Sequence, residues 1–240
     1  MLSPVVRTAK EFGHAALHVF YEGLLSRRTF VFDNEQYTYF YHPYHNTCET
    51  ERSIEIPIAL AFLGCRPPGP VLEVGNVLNH YVPFPHTIVD KYEVGADVAN
   101  LDIADIDFPQ GFASIVSIST MEHVGWDEDP FEPGKAVRAI TRLRSFLLPG
   151  GQMLISFPIG HNAGLDHALE EGSLGCKQVR GMKRRNLMND WMEVSVSELM
   201  SRRFAESYRR GAVPYRRAQG VAFACFDACD PDLGANVVTL

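Results

Sequence analysis

Val71-Leu72-Glu73-Val74-Gly75-Asn76-Val77-Leu78-Asn79 is the stretch that decides the fold of this chain. Pro70 bounds it on one side, and three apolar residues around a single acid read as a short buried strand that breaks into a tight turn at Gly75. At the carboxyl edge of the sheet in a doubly wound α/β fold lies the crevice that takes nucleotide-like ligands. Glu73, just ahead of the glycine, is expected to accept hydrogen bonds there from a cationic or hydroxylated ligand.

Downstream, the same alternation continues. Thr87–Asp90 and Ile115–Ser119 read as further strands. Gly134–Leu147 reads as a helix stopped by Pro149-Gly150-Gly151, and Gln152–Phe157 as the strand after it. A helix near Ser195–Phe204 and a last strand near Val221–Phe226 complete the pattern. Strands alternating with helical connections predict an α/β fold, a Rossmann-like, doubly wound and mostly parallel sheet with right-handed crossovers. Upstream, Val5–Leu25 has helical spacing, and Thr29–Phe32 and Tyr37–Tyr41 read as strands about a four-residue turn, Asp33–Gln36. Thr47 or Thr50 is expected to cap a helix running to about Leu63, with Pro57 in an early turn or at a kink. The Pro/Gly-rich linker Cys65–Pro70 divides the chain into a helix-hairpin-helix extension, residues 1–66, covering the acceptor side, and a Rossmann-like core, residues 67–240.

With 240 residues, 46% of them hydrophobic, the chain buries one sizeable core. A net charge of -7 argues against a general nucleic-acid binder. No stretch reaches the roughly 18 apolar residues of a membrane span, and Arg7, Lys10, Glu11, His14 and His18 break up the amino-terminal segment, so no secretory signal is expected. Five cysteines without a CxxC pair read as reduced thiols of a cytoplasmic protein, with no zinc site. Eleven of the 22 basic residues lie between Lys177 and Arg217, against four acids. That run reads either as a solvated face or as a cationic lid for an anionic or polyhydroxylated substrate.

Several phrases, in order, resemble class I S-adenosylmethionine-dependent methyltransferases over residues 70–160. These are the Val71–Gly75 strand and turn, Asp90 closing the second strand, Asn100-Leu101-Asp102-Ile103, the run from Ile115 through Ser119-Thr120-Met121-Glu122-His123-Val124, and Leu148-Pro149-Gly150-Gly151. The resemblance implies a methyl-donor site formed by Glu73, Gly75, Asn76, Asp90, Asp102, Ile103, Ser119 and Thr120. Within it, Asp90, with Glu93 as a rival, would take the ribose hydroxyls, Asp102 the adenine amino group, and Ile103 the face of the ring. Val77 and Asn79 stand where the family usually has glycines, and Pro83 and Pro85 leave little room for a long first helix. This departure implies a reshaped turn, or a chain that has kept the fold and lost turnover.

Methyl transfer to an alcohol benefits from a general base. His123 is the first candidate, with Glu122 as its orienting partner or substitute and His161 as the second, although His123 also fits a plain packing role. The acids Asp127-Glu128-Asp129 suit Mg2+, and also suit a helix amino terminus. Arg52 reads as a clamp for the cofactor carboxylate, and the aromatic run Tyr37–Asn46 as a stacking surface for sugar rings or as hairpin core. A resemblance to bacterial enzymes of polysaccharide and glycolipid assembly implies a sugar hydroxyl as acceptor. A small-molecule or lipid hydroxyl, and a non-catalytic cofactor-binding scaffold, are the alternatives; a homodimer is left open. The spaced glycines of a nicotinamide-dependent oxidoreductase are absent.

Overall fold

The computed structural model describes residues 27–201 and 217–228. The helix expected over residues 5–25, the end of the one expected near 195–204, and Cys229 lie outside the described residues. The chain opens with a hairpin, β1 (Thr29–Phe32) and β2 (Glu35–Thr38), followed by a 3-10 turn (Tyr44–Glu49) and helix α1 (Arg52–Gly64). Then come β3 (Val71–Val74), β4 (Thr87–Val89), β5 (Val98–Ala99), β6 (Phe112–Ile118), helix α2 (Lys135–Ser145) and β7 (Leu147–Pro158). Helix α3 (Ala163–Glu170), β8 (Gln178–Arg184), β9 (Trp191–Val194), the single turn α4 (Val196–Leu199) and β10 (Gly220–Asp227) follow.

Eight strands form one sheet in the order β5-β4-β3-β6-β7-β10-β8-β9. The five from β5 to β7 are parallel, and β10 runs antiparallel to both β7 and β8. The order reverses beside β3, because β4 lies on one side of it and β6 on the other. The central strands are apolar on both faces, as a parallel sheet covered on both sides requires. Their side chains split by a period of two: Leu72, Val74, Ile115, Met153 and Ile155 join one core cluster, whereas Val71, Val116, Ile118 and Leu154 join the other. The first is covered by α2, whose Ala136, Ala139, Ile140 and Leu143 recur at helical spacing, and by Leu165, Ala168 and Leu169 of α3. Phe30 and Phe32 of the hairpin and Ile54, Ile56 and Ile58 of α1 cover the second. Each such side chain contributes about 1.5–3 kcal/mol by burial.

Local differences from expectation have physical causes. The hairpin turn is two residues, not four: Asp33 and Asn34 both have positive φ (53° and 65°), and β2 begins at Glu35. Neither Thr47 nor Thr50 caps α1, whose cap residue is Glu51. The Thr47 hydroxyl instead holds the 3-10 turn, donating to the Phe40 and His42 carbonyls and accepting from His42 N. Pro57 sits inside α1 without a kink in its assignment, and the carbonyl of Ser53 that its missing N–H leaves free accepts from Phe40 N at 2.9 Å. Pro149-Gly150-Gly151 does not precede β7 but lies within it, as a bulge between the Phe112–Leu147 and Ser114–Gln152 pairs. In the described part of the basic run, Lys177, Arg180, Lys183 and Arg217 are paired with Asp227, Asp33 and Glu193, Glu198, and Glu49 respectively. No described helix is long and apolar enough to cross a membrane.

Candidate active site

A cavity of about 460 Å³ opens at the carboxyl ends of β3, β4 and β6. Gly75, Asn76, Asp90, Asp102, Ile103, Ser119, Thr120 and His123 line it, so eight residues singled out in the sequence come together. Its turn is built closely. Gly75 has φ +85°, and a Cβ there would stand 2.1 Å from Thr120 Oγ1, so this position needs glycine for conformation and for space.

Glu73 is a correction. Its carboxylate is wholly buried beneath the turn, where Oε1 accepts from Val77 N and Leu78 N and Oε2 meets His86 Nε2 at 2.7 Å. It holds the turn rather than a ligand, and replaces the expected long first helix by one 3-10 turn, Leu78–His80. Burial opposes the charged form of His86, but the bonds to Glu73 and the Phe84 carbonyl raise its pKa above the ordinary value.

Asp90 follows β4 directly. Its Oδ1 accepts from Tyr92 N and Glu93 N, and Oδ2 from Asn76 N at 3.2 Å, which leaves one of about four lone-pair sites for a ligand. Beside it, Glu93 Oε1 accepts from Asn76 Nδ2 and meets His80 Nε2, both at 2.7 Å. The Oδ1 of Asn76 is buried without a hydrogen-bond partner, an acceptor that a ligand donor would satisfy.

Asp102 is more committed than the sequence suggests. Lys91 and Lys135 both reach its Oδ2 (2.8 and 2.6 Å) and also Glu128 Oε2 (3.0 and 2.6 Å). Partial burial works against the Asp102 carboxylate, yet the two ammonium groups hold its pKa down to about 2. Glu128 is therefore tied to lysines, while Asp127 turns to histidines, so the expected oxygen-rich Mg2+ site of Asp127, Glu128 and Asp129 is not assembled.

Beneath the cavity lies a buried charged group. Arg52, at the start of α1, lines the cavity and donates to Glu55 Oε2 at 2.7 Å. Glu55 Oε1 accepts from Ser119 Oγ (2.6 Å) and Ser156 Oγ (2.8 Å), which pins α1 to the ends of β6 and β7. Ser119 adopts φ +37°, a strained backbone for a non-glycine residue, at this junction. Glu122 is also buried and does not line the cavity; desolvation, then the nearby Glu55 charge, push its pKa well up.

His123 is half-exposed on the cavity wall. Its Nδ1 lies 2.5 Å from Asp127 Oδ2, and Glu122 Oε1 stands 3.7 Å from its Nε2. His161 does not line the cavity but reaches the same Asp127 oxygen at 2.9 Å, with the two imidazoles 4.6 Å apart edge to face. A second wall is aromatic. Tyr44 and His45, the latter held neutral by burial, stand beside His80 and Tyr81, with the Tyr44 ring 4.5 Å from His80 and 5.7 Å from Tyr81. The other rings of that run divide: Tyr39 is buried hairpin core, and Tyr37, Phe40 and Tyr41 pack against it.

Sequence reasoning missed Lys91, His80 and Glu55. Lys91 had a signal, following the ribose-side acid immediately. Glu55 had one too, a lone acid within the apolar run Ile54–Ile58.

The sheet order and the single antiparallel strand between β7 and β8 are those of the Rossmann-like class I methyltransferase fold. No family model and no curated protein matches the chain. Among solved structures, it is similar to the N-methyltransferase NodS from Bradyrhizobium japonicum WM9, with 13% identity over 75% of this chain and 97% of that one, at a TM-score of 0.46. NodS in complex with S-adenosyl-L-homocysteine matches at 11% identity over 68% of this chain and 79% of that one, at 0.42. The glycopeptide N-methyltransferase MtfA complexed with S-adenosylmethionine matches at 12% identity over 71% of this chain and 92% of that one, at 0.33.

Proposed function

We propose that this chain is an S-adenosylmethionine-dependent O-methyltransferase acting on a hydroxyl of a sugar or similar polyhydroxylated ring. The observation that carries the reading is the single cavity wall sequence of Asp90, Asn76 and Gly75 running to Thr120 and His123 at the carboxyl edge of the sheet. Its volume lies in the range of about 300–1,000 Å³ typical of small-ligand sites. The residues present fit the methyl donor: Asp90 and Glu93 offer acceptors to ribose hydroxyls, and Asn76 Oδ1 lacks a partner. Val89, Leu101 and Ile103 give an apolar bed for the base, and Arg52 a cation for the amino-acid carboxylate.

The donor, when bound, supplies an electrophilic methyl group on a sulfonium. The protein's part is alignment, exclusion of water, and removal of the acceptor's proton. An O–C bond forms as the C–S bond breaks, the electron pair stays on sulfur, and the acceptor proton departs at the His123 rim. Tyr44 and Tyr81 are suited to stack on the apolar face of a sugar ring, and their hydroxyls and His80 to meet its oxygens.

Calorimetry with S-adenosylhomocysteine tests the cavity; micromolar affinity corresponds to about -8 kcal/mol. Incubation of S-adenosylmethionine with a panel of sugar acceptors should give products heavier by one methylene. Binding without transfer to any acceptor would point instead to a cofactor-binding scaffold, and no binding at all would end the reading. Replacing His123 by Ala should lower turnover by about 10²-fold or more.

A further inference from the structure

We propose that His123, Asp127 and His161 form a binding site for a divalent transition-metal ion, Zn2+ or Mn2+, at the rim of the cavity. The proposal rests on the methyltransferase reading for its role, but not for its existence. His123 Nδ1, Asp127 Oδ2 and His161 Nε2 all lie within 4.8 Å of one another, contributed by two different loops at the carboxyl edge of the sheet. Asp127 Oδ2 lies between the two rings, 2.5 Å from one nitrogen and 2.9 Å from the other. An ion bonded at about 2.0–2.2 Å needs these donors only a few tenths of an ångström further apart. Asp127 and His123 are each about half exposed (49% and 51%), so both have room to move and the ion has a path from solvent.

The donor set selects the ion. Two imidazoles and one carboxylate suit Zn2+, Mn2+ or Fe2+, whereas Mg2+ prefers an all-oxygen shell. Three protein ligands leave open positions, as in catalytic rather than structural sites. Behind the site stands a carboxyl group in the place where metal-bound histidines find an outer partner. Glu122 Oε1 lies 3.7 Å from His123 Nε2, the nitrogen that Nδ1 coordination leaves free, and Glu122 Oε2 is buried without a hydrogen-bond partner. His123 also lines the cavity, so an open position on the ion would be reachable by an acceptor oxygen there. A hydroxyl bound to a divalent ion loses its proton to water more readily, which supplies the activation that an unassisted alcohol lacks.

The test is metal binding by the chelator-stripped full chain, read by calorimetry with Zn2+ and by the visible absorption of Co2+. One ion per chain should bind, with affinity falling about 100-fold in His161→Ala and in Asp127→Ala, and about 10- to 100-fold in Glu122→Gln. S-adenosylhomocysteine affinity and the far-ultraviolet spectrum should be unchanged in His161→Ala, which lies off the cavity. No stoichiometric binding by the wild type, or equal binding by the wild type and His161→Ala, would overturn the proposal and leave a hydrogen-bonded His–Asp–His triad with His123 as a simple base. Metal binding in a chain that does not bind S-adenosylhomocysteine would keep the site and defeat the methyltransferase reading alone.

Discussion

Gly75 carries two constraints at once, and they can be separated. A left-handed conformation costs a residue with a Cβ about 1–2 kcal/mol. The clash with Thr120 Oγ1 adds to it. Gly75→Ala should therefore lose more stability than conformation alone explains, and Thr120→Ala in the same chain should restore part of the loss. Equal losses in the single and double variants, measured by urea unfolding, would show that only the backbone matters. The Arg52–Glu55 pair makes a second residue-level prediction. Glu55→Ala strands a largely buried guanidinium and two serine hydroxyls, so it should cost about 3–5 kcal/mol. Glu55→Gln keeps the serine bonds and should cost visibly less; identical costs would show that the serines contribute little. At this scale the sequence was informative wherever a residue type had one use. Gly75 could be read because few conformations need a glycine there, whereas Glu73 could not, since a carboxylate beside a turn serves a ligand or the turn's own N–H groups equally well.

Elements were legible where burial pattern and punctuation agreed. β3, β4, β6 and α2 fall within a few residues of expectation because continuous apolar runs and helical spacing leave little choice. β8, β9 and α3 escaped notice. β8 spells Gln178-Val179-Arg180-Gly181-Met182-Lys183-Arg184, polar and basic, and it is a strand because β10 and β9 pair with it and acids from elsewhere neutralise it. Arg184 is an extreme case, buried beside Trp191 with its pKa pushed down to about 10 by desolvation, and bonded to the Ala218 and Glu49 carbonyls. Long-range pairing of this kind leaves no periodic trace. The hairpin yields the element-scale prediction. Asp33 and Asn34 both occupy the left-handed region, which asparagine tolerates and β-branched residues do not. Asn34→Val should destabilise the chain by about 1–2 kcal/mol and Asn34→Gly should not. Losses of similar size in both variants would mean that the Asn34 side chain, not its backbone, holds the turn.

For the whole molecule, buried and paired ionisable groups set opposing limits on stability against pH. Asp102, held by Lys91 and Lys135, has a folded pKa of about 2, and Glu128 is lowered by the same lysines. Such carboxylates contribute stability that is fully present above their unfolded values near 4 and lost as pH falls through the folded ones. For Asp102, about one-fifth exposed, that contribution is about 2 kcal/mol. His86 works in the other direction: its raised pKa gives stability that is complete below about 6.5 and lost as pH rises through the folded value. Glu55 and Glu122, both pushed up by burial, add to that alkaline limb, because the unfolded chain ionises them before the folded one does. Stability should therefore peak on the acid side of neutrality, at about pH 4.5–6. Urea midpoints across pH 2–9 check this, with Asp102→Asn flattening the acid limb and His86→Gln the alkaline one. A maximum at pH 8 or above, or an acid limb untouched by Asp102→Asn, would mean that the lysine bridge across β4, α2 and the loop between β6 and α2 does not act as one unit in solution.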